Sequence, residues 1–283
     1  MKCSVVSYSL SEDPGSLEDW KINLKEEINS FIKNGSKIIL YPELFLMGLS
    51  RYFKSSTPLD DIKNVANFVT NILLPELKES FGGNDILLIL GSGPRLYAGK
   101  IFNSAPFLYR GEWLFQDKLY LTPWETDFSP GEELLCFDFG GLKTAVVICF
   151  DSEQPDLAMK LKRESIDLIL VPSATTNENG NNRVNRCASA RAIELGAAVV
   201  TSPLVGDSTC DLIDHNEGRQ GFFLPAQEEI TMKQEIHSEY SVANKVIGHY
   251  EIDVNIIKNL KNDNSETKPF LKPFNSSLKI RSL

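Results

Sequence analysis

Thr144-Ala-Val-Val-Ile-Cys149, continued by Phe150-Asp-Ser-Glu-Gln-Pro155, is the stretch that decides how this chain is read. An apolar, β-branched run ends on a thiol, and a polar segment then leads to a proline, a residue that starts helices and does not continue them. Such a run reads as a strand buried on both faces. Cys149 therefore stands at the exit of a buried strand, just ahead of a helix start. Two further segments carry a charged residue to a similar place: Ile38-Ile-Leu-Tyr-Pro-Glu43 and Trp113-Leu-Phe-Gln-Asp-Lys118. A thiol, a carboxylate and an amine so placed are the parts of a cysteine acyl-transfer site.

Outward from that stretch, strands and helices alternate. Residues 3–9 read as a first strand. Ser16 to Lys33 reads as a helix, with Leu17, Trp20, Leu24, Ile28 and Phe31 on one face and Gly35 as its stop. Residues 58–81 give a second amphipathic pattern that Pro75 can kink. Apolar runs at 38–41, 86–90, 144–148, 166–171 and 197–201 read as strands covered on both sides. Residues 101–118 and 134–148 read as hairpins around Arg110-Gly111 and Gly140-Gly141. Helices are expected near 155–164 and 184–195, and residues 209–214, 219–224 and 245–252 are expected to finish the sheet. The segment Asn177-Glu-Asn-Gly-Asn-Asn182 reads as a surface turn rather than a lid. From Ile256 the chain turns polar, which predicts one domain over 1–255 and a C-terminal extension, 256–283, leaving the core.

Composition narrows the function. The 283 residues are 42% hydrophobic and 24% charged, enough for a sizeable core. A net charge of −9 without a Lys/Arg cluster argues against nucleic acid and anionic membranes as partners. Five scattered cysteines and three distant histidines offer neither a disulfide framework nor metal-ligand spacing. The apolar start is too short for a secretory signal, and no run reaches the ~18 apolar residues of a spanning helix. Free thiols suit a reducing cytoplasm. Gly93-Pro-Arg-Leu-Tyr-Ala-Gly99-Lys100 is one residue too long for a phosphate loop and lacks its Ser/Thr.

Alone, a cysteine ending an apolar strand is more often a small buried hydrophobe. The words around it change the balance. Tyr41-Pro-Glu43-Leu-Phe, Asp117-Lys118-Leu-Tyr-Leu-Thr-Pro-Trp-Glu125 and Val147-Ile-Cys149-Phe-Asp-Ser-Glu-Gln-Pro155 occur in that order. Phe128-Ser-Pro-Gly131, Leu168-Ile-Leu-Val-Pro-Ser-Ala174 and Ala190-Arg-Ala-Ile-Glu194 accompany them. Over residues 3–252 this ordered set resembles the nitrilase superfamily of carbon–nitrogen hydrolases, in an amidase-like branch of unassigned substrate.

The resemblance implies an α/β fold, a four-layer α-β-β-α sandwich. It also implies a catalytic triad, Glu43, Lys118 and Cys149, with Glu125 beside the lysine, no metal or organic cofactor, and a homodimer or larger assembly in which 256–283 could serve as an arm. Glu43 would be the general base. Lys118 would favour the thiolate, helped by a helix N-terminus beyond residue 150, and would meet the oxyanion together with the backbone N–H of Phe150. Trp124, Ser173 and Ala174 would line the substrate pocket. Tyr120, Gln154 and Leu195-Gly196 depart from the family's usual residues. Phe150-Asp151 lacks the Trp-Glu usual after the cysteine of nitrile hydrolysers, which favours a small linear amide as substrate. The alternatives are nitrilase, N-carbamoyl hydrolase or acyltransferase chemistry on the same triad, or an inactive binding protein on the same fold.

Overall fold

Strands that are apolar on both faces need cover on both sides, and here two sheets cover each other while helices cover their outer faces. The computed structural model describes residues 1–262 and Arg281. In the first sheet the spatial order is Val246–Glu251, Lys2–Ser7, Ile38–Leu40, Leu87–Ile89, Lys100–Tyr109 and Gly93–Tyr97, with Glu112–Asp117 also paired to Lys100–Tyr109. In the second it is Glu235–His237, Gly221–Phe223, Ala198–Pro203, Leu168–Ser173, Leu142–Val146 and Cys136–Phe139. The central strands of each sheet pair in parallel. Apart from Lys2–Ser7, these are the continuously apolar runs of the sequence.

In the first sheet the pleat divides the runs between two cores. Ile38, Leu40, Leu87 and Ile89 pack with Ala145, Leu168 and Leu170 of the second sheet. Their neighbours Ile39 and Leu88 point the other way, onto Trp20, Leu24, Ile28 and Phe31 of the helix Leu17–Lys33. The helices Pro155–Arg163 and Glu178–Leu195 bring Leu157, Leu161, Val184, Ala188 and Ala192 to the second sheet. Each Leu or Ile buried in this way is worth roughly 1.5–3 kcal/mol. The result is a four-layer α-β-β-α sandwich.

Local chemistry fixes the element ends. Ser16 caps the first helix in a reciprocal box with Asp19. The helix Pro58–Phe68 continues through a π turn, Val69–Leu73, into Leu74–Phe81. The widened turn lies just where Pro75 cannot donate to the carbonyl four residues back. Ala98-Gly99, Arg110-Gly111 and Gly140-Gly141 all have positive φ, the signature of two-residue type I′ hairpins. The segment that mimics a phosphate loop is thus a hairpin.

Three expectations need correction. Residues 209–214 form no strand; Asp211–Ile213 is a short 3-10 turn in which only the Ile213 side chain is buried. Asn177–Asn182 is not a surface turn. Asn177 caps the helix Glu178–Leu195 through the Gly180 N–H, and Asn181 is buried against the Arg219 backbone. The chain does not leave the core at residue 256 either. Val254–Asn262 is a helix whose Ile257 and Leu260 are buried, and Lys258 and Lys261 pair with Asp167. An i, i+3 apolar pair hidden among lysines and asparagines carries this helix. Apart from Arg281, the rest of the expected extension lies outside the described residues. Among those residues no helix is long and apolar enough to cross a membrane.

Candidate active site

Parallel strands leave their polar business at their C-terminal ends, where loops diverge and a crevice opens. Glu43 and Cys149 follow the strands Ile38–Leu40 and Leu142–Val146, which have parallel neighbours, and Lys118 follows the antiparallel strand Glu112–Asp117. The turns that carry them are tight. Leu44, next to Glu43, has φ 57°, and Cys149 itself has φ 45°. Non-glycine residues in this left-handed region cost about 1–3 kcal/mol and need support from their surroundings. Here the Leu44 N–H donates to Ser92 Oγ at 3.0 Å, and Ser152 Oγ donates to the Cys149 carbonyl at 2.6 Å. Gly91 backs the first turn so closely that a Cβ would lie 1.8 Å from the Pro42 carbonyl oxygen.

The three side chains converge. Lys118 Nζ donates to Glu43 Oε1 and to Glu125 Oε2, each at 2.7 Å. Cys149 Sγ donates to the Ala174 carbonyl at 3.6 Å, and Glu43 and Lys118 act on the thiol electrostatically. The Ala174 N–H donates to Glu43 Oε2 at 2.9 Å. Glu43, Lys118, Glu125 and Cys149 are each at most 5% exposed.

One cation serves two carboxylates and a thiol, and the electrostatics follow from that shortage. Burial, reinforced by the Glu125 charge, pushes the Glu43 carboxyl above its usual range despite Lys118. Burial also works against the charge of Glu125. There Lys118, the Thr122 N–H and Asn103 outweigh it and hold the carboxyl low. Burial likewise disfavours the Lys118 ammonium, but Glu43, Cys149 and Glu125 more than restore it. The thiol is pushed well above its ordinary value by burial and then by Glu43, with Lys118 offsetting only part. The expectation that Lys118 and a helix N-terminus would hold the sulfur anionic is therefore not met. Cys149 opens a 3-10 turn, Cys149–Glu153, and the α-helix begins only at Pro155.

Of the pocket residues expected from sequence, Ala174 reaches the site through its backbone, and Phe150 follows the thiol in the 3-10 turn. Ser173 is fully buried, with its hydroxyl spent on the Ser202 carbonyl. Trp124 is 70% exposed and so forms no enclosed wall. The sequence reading missed Asn103, whose Nδ2 bridges Glu43 Oε1 (3.1 Å) and Glu125 Oε1 (2.8 Å) while Ser92 Oγ donates to its Oδ1 at 2.6 Å. It also missed Thr122, which donates to Glu125 Oε2 from both its N–H and its hydroxyl. The available signal was an asparagine inside the apolar strand Lys100–Tyr109, where a buried amide needs partners. Among the described residues no group of His, Cys, Asp and Glu is arranged to hold a metal ion.

Comparison with known proteins gives this geometry a setting. The sequence pattern of the carbon-nitrogen hydrolase family matches residues 13–224. A probable hydrolase of Bacillus subtilis, YhcX, is 29% identical over 202 residues, 69% of this chain but only 39% of that protein. An (R)-stereoselective amidase of a Pseudomonas species is 24% identical over 67% of this chain and 68% of its own length. In three dimensions the chain resembles an amidase from Nesterenkonia (TM-score 0.69, 18% identity, 92% of each chain). It also resembles Nit3 of Saccharomyces cerevisiae, a member of the nitrilase superfamily (TM-score 0.62, 20% identity, 93% of each chain). A match over most of the chain, a shared sandwich and a buried cluster at its strand exits lead to one conclusion: the chain belongs to the carbon-nitrogen hydrolase family.

Proposed function

We propose that the protein hydrolyses a small linear amide to a carboxylic acid and ammonia or an amine through a thioester on Cys149. The observation that carries this reading is the Lys118 ammonium shared between two buried carboxylates of opposite tendency, beside a thiol. Groups whose environments drive their proton affinities apart mark the acid–base pair of a reaction. Glu43, with raised affinity, is the proton carrier. Glu125, held ionised, fixes Lys118.

The sulfur attacks the carbonyl carbon as Glu43 takes the thiol proton, so deprotonation accompanies attack on a thiol that rests neutral. The carbonyl oxygen becomes an oxyanion met by Lys118 and the Phe150 N–H; one such donor is typically worth on the order of 3 kcal/mol of barrier. Collapse breaks the C–N bond, and Glu43 returns its proton to the leaving nitrogen. Water then attacks the thioester, Glu43 takes a proton from it, the C–S bond breaks, and the sulfur is reprotonated as the acid leaves.

The amidase relatives and the absence of Trp-Glu after Cys149 support an amide over a nitrile. A homodimer or larger homo-oligomer working in the cytoplasm completes the proposal. Purified protein offered a panel of linear amides should release ammonia, and Cys149→Ala should abolish the release. Undiminished turnover in that variant overturns the mechanism. Turnover confined to nitriles or carbamoyl compounds reassigns the substrate.

A further inference from the structure

We propose that Asp151 is a positioning residue for this reaction, its carboxylate bolting the Lys118 strand end to the Cys149 turn. The proposal deepens the reading of Cys149 and Lys118 given above and rests on it. Asp151 stands two residues after the nucleophile and is 1% exposed. Its Oδ1 accepts from the Tyr120 N–H at 2.7 Å and from the Leu119 N–H at 3.1 Å, and its Oδ2 lies 3.1 Å from the same Leu119 nitrogen. Leu119 and Tyr120 directly follow Lys118. On its other side the Lys118 backbone is held by the Asn103 carbonyl (2.8 Å) and by the Gly131 N–H (2.7 Å). One side chain from the nucleophile turn thus closes the frame that sets ammonium against sulfur.

Nothing in the acyl-transfer steps uses this carboxylate, yet it is kept in a costly place. Burial raises its pKa to about 7, although the Tyr120 and Leu119 N–H groups and Lys118 oppose the rise. The groups that face it are Lys118 and Glu43 from the site, and Arg191 of the helix Glu178–Leu195, which lines the same small void and pairs with Glu194. Tyr120 carries its phenol away to Asp156 of the helix Pro155–Arg163. A native value above the unfolded one means that the stability Asp151 lends is complete below the ordinary aspartate range. That stability is withdrawn as pH rises through about 7. Above that pH the ionised side chain weakens the fold while it holds the frame.

Structural and positioning roles therefore predict opposite results for Asp151→Asn. The amide oxygen can take the place of Oδ1, but the amide nitrogen sets a donor where Oδ2 faces the Leu119 N–H, and the amide cannot ionise. At pH 8 the thermal midpoint should equal or exceed that of the parent, because a buried charge has gone. In the same buffer kcat should fall about tenfold to a hundredfold, the usual penalty of a small misplacement, with KM within about twofold. Alkylation of Cys149 by iodoacetamide, followed by mass spectrometry, should slow by a similar factor. Parental kcat and labelling rate in the variant, or losses that only track a lowered midpoint, overturn the proposal. If the parent labels at Cys149 but hydrolyses no amide, the amidase reading fails, and the labelling ratio still decides the role of Asp151.

Discussion

Among the described residues, Lys118 and Asp167 each centre a cluster of lysine and buried carboxylate, and the two are built in opposite senses. At the strand exits one lysine, Lys118, serves two carboxylates, with 2% of its side chain exposed. At the far side one carboxylate, Asp167, serves two lysines, Lys258 at 2.6 Å and Lys261 at 2.7 Å, whose side chains keep 44% and 15% of their exposure. Burial, reinforced by the charge of Glu125, raises the proton affinity of Glu43 despite Lys118. At Asp167 burial alone would raise it too, but Lys258, Lys261 and the Lys143 N–H hold the carboxyl below its usual range. The same residue types thus give a carboxyl of raised proton affinity in one place and one of lowered affinity in the other. What differs is the depth of burial of each carboxyl, the cations that reach it and the hydrogen bonds it accepts.

The comparison breaks most visibly at Lys118. Lys118→Ala leaves two carboxylates buried without a cation. We expect turnover to fall by at least about a hundredfold. We also expect a stability loss of about 3–5 kcal/mol in urea titrations at pH 8, since an uncompensated buried charge is left behind. The loss should shrink at low pH as the carboxyls take up protons.

Glu43→Gln should separate activity from stability. Turnover is expected to fall on the order of a hundredfold to ten-thousandfold. The thermal midpoint at pH 8 should hold or rise, because the ionisation of a group with a raised native pKa withdraws stability as pH increases. In the unaltered protein kcat/KM should drop on the acid side with an apparent pKa above the ordinary glutamate value, measured as a pH–rate profile.

Asp167→Asn should do the reverse. It removes the clasp on the helix Val254–Asn262, costing about 1–3 kcal/mol with kcat unchanged. The sign of its pH dependence is also reversed. A lowered native pKa means that the stability is present above the ordinary aspartate value near 3.9 and is lost as pH falls through the native one. Parent and variant should therefore converge in acid, and denaturation curves at pH 7 and pH 3 check this.

The two clusters were not equally legible in the sequence. Glu43, Lys118 and Cys149 stand out because each ends or closely follows an apolar run, and the resemblance of the words around them to a known family is what turns that placement into a site. Asn103, Ser92 and Asp151 could not be assigned in advance, since their partners lie on other elements and only the closed fold brings them within reach. Asn177–Asn182 misled because asparagine disfavours helix interiors. The buried partners that justify Asn181 and Asn185, the Arg219 carbonyl and the Thr201 hydroxyl, come from distant strands and loops. The helix Val254–Asn262 was masked for the same reason: its apolar pair is sparse, and the carboxylate that holds its lysines is Asp167, about ninety residues earlier.

The central claim is that a neutral thiol at Cys149 becomes an acyl carrier because Glu43 and Lys118 meet it in one dry crevice. The most direct measurement is mass spectrometry of protein quenched in acid during turnover of a slowly hydrolysed amide. The account expects the mass of the acyl group on the peptide containing Cys149, and no such adduct in Cys149→Ala. An acyl group carried by another residue, or steady turnover with no covalent intermediate and no dependence on Cys149, would contradict it.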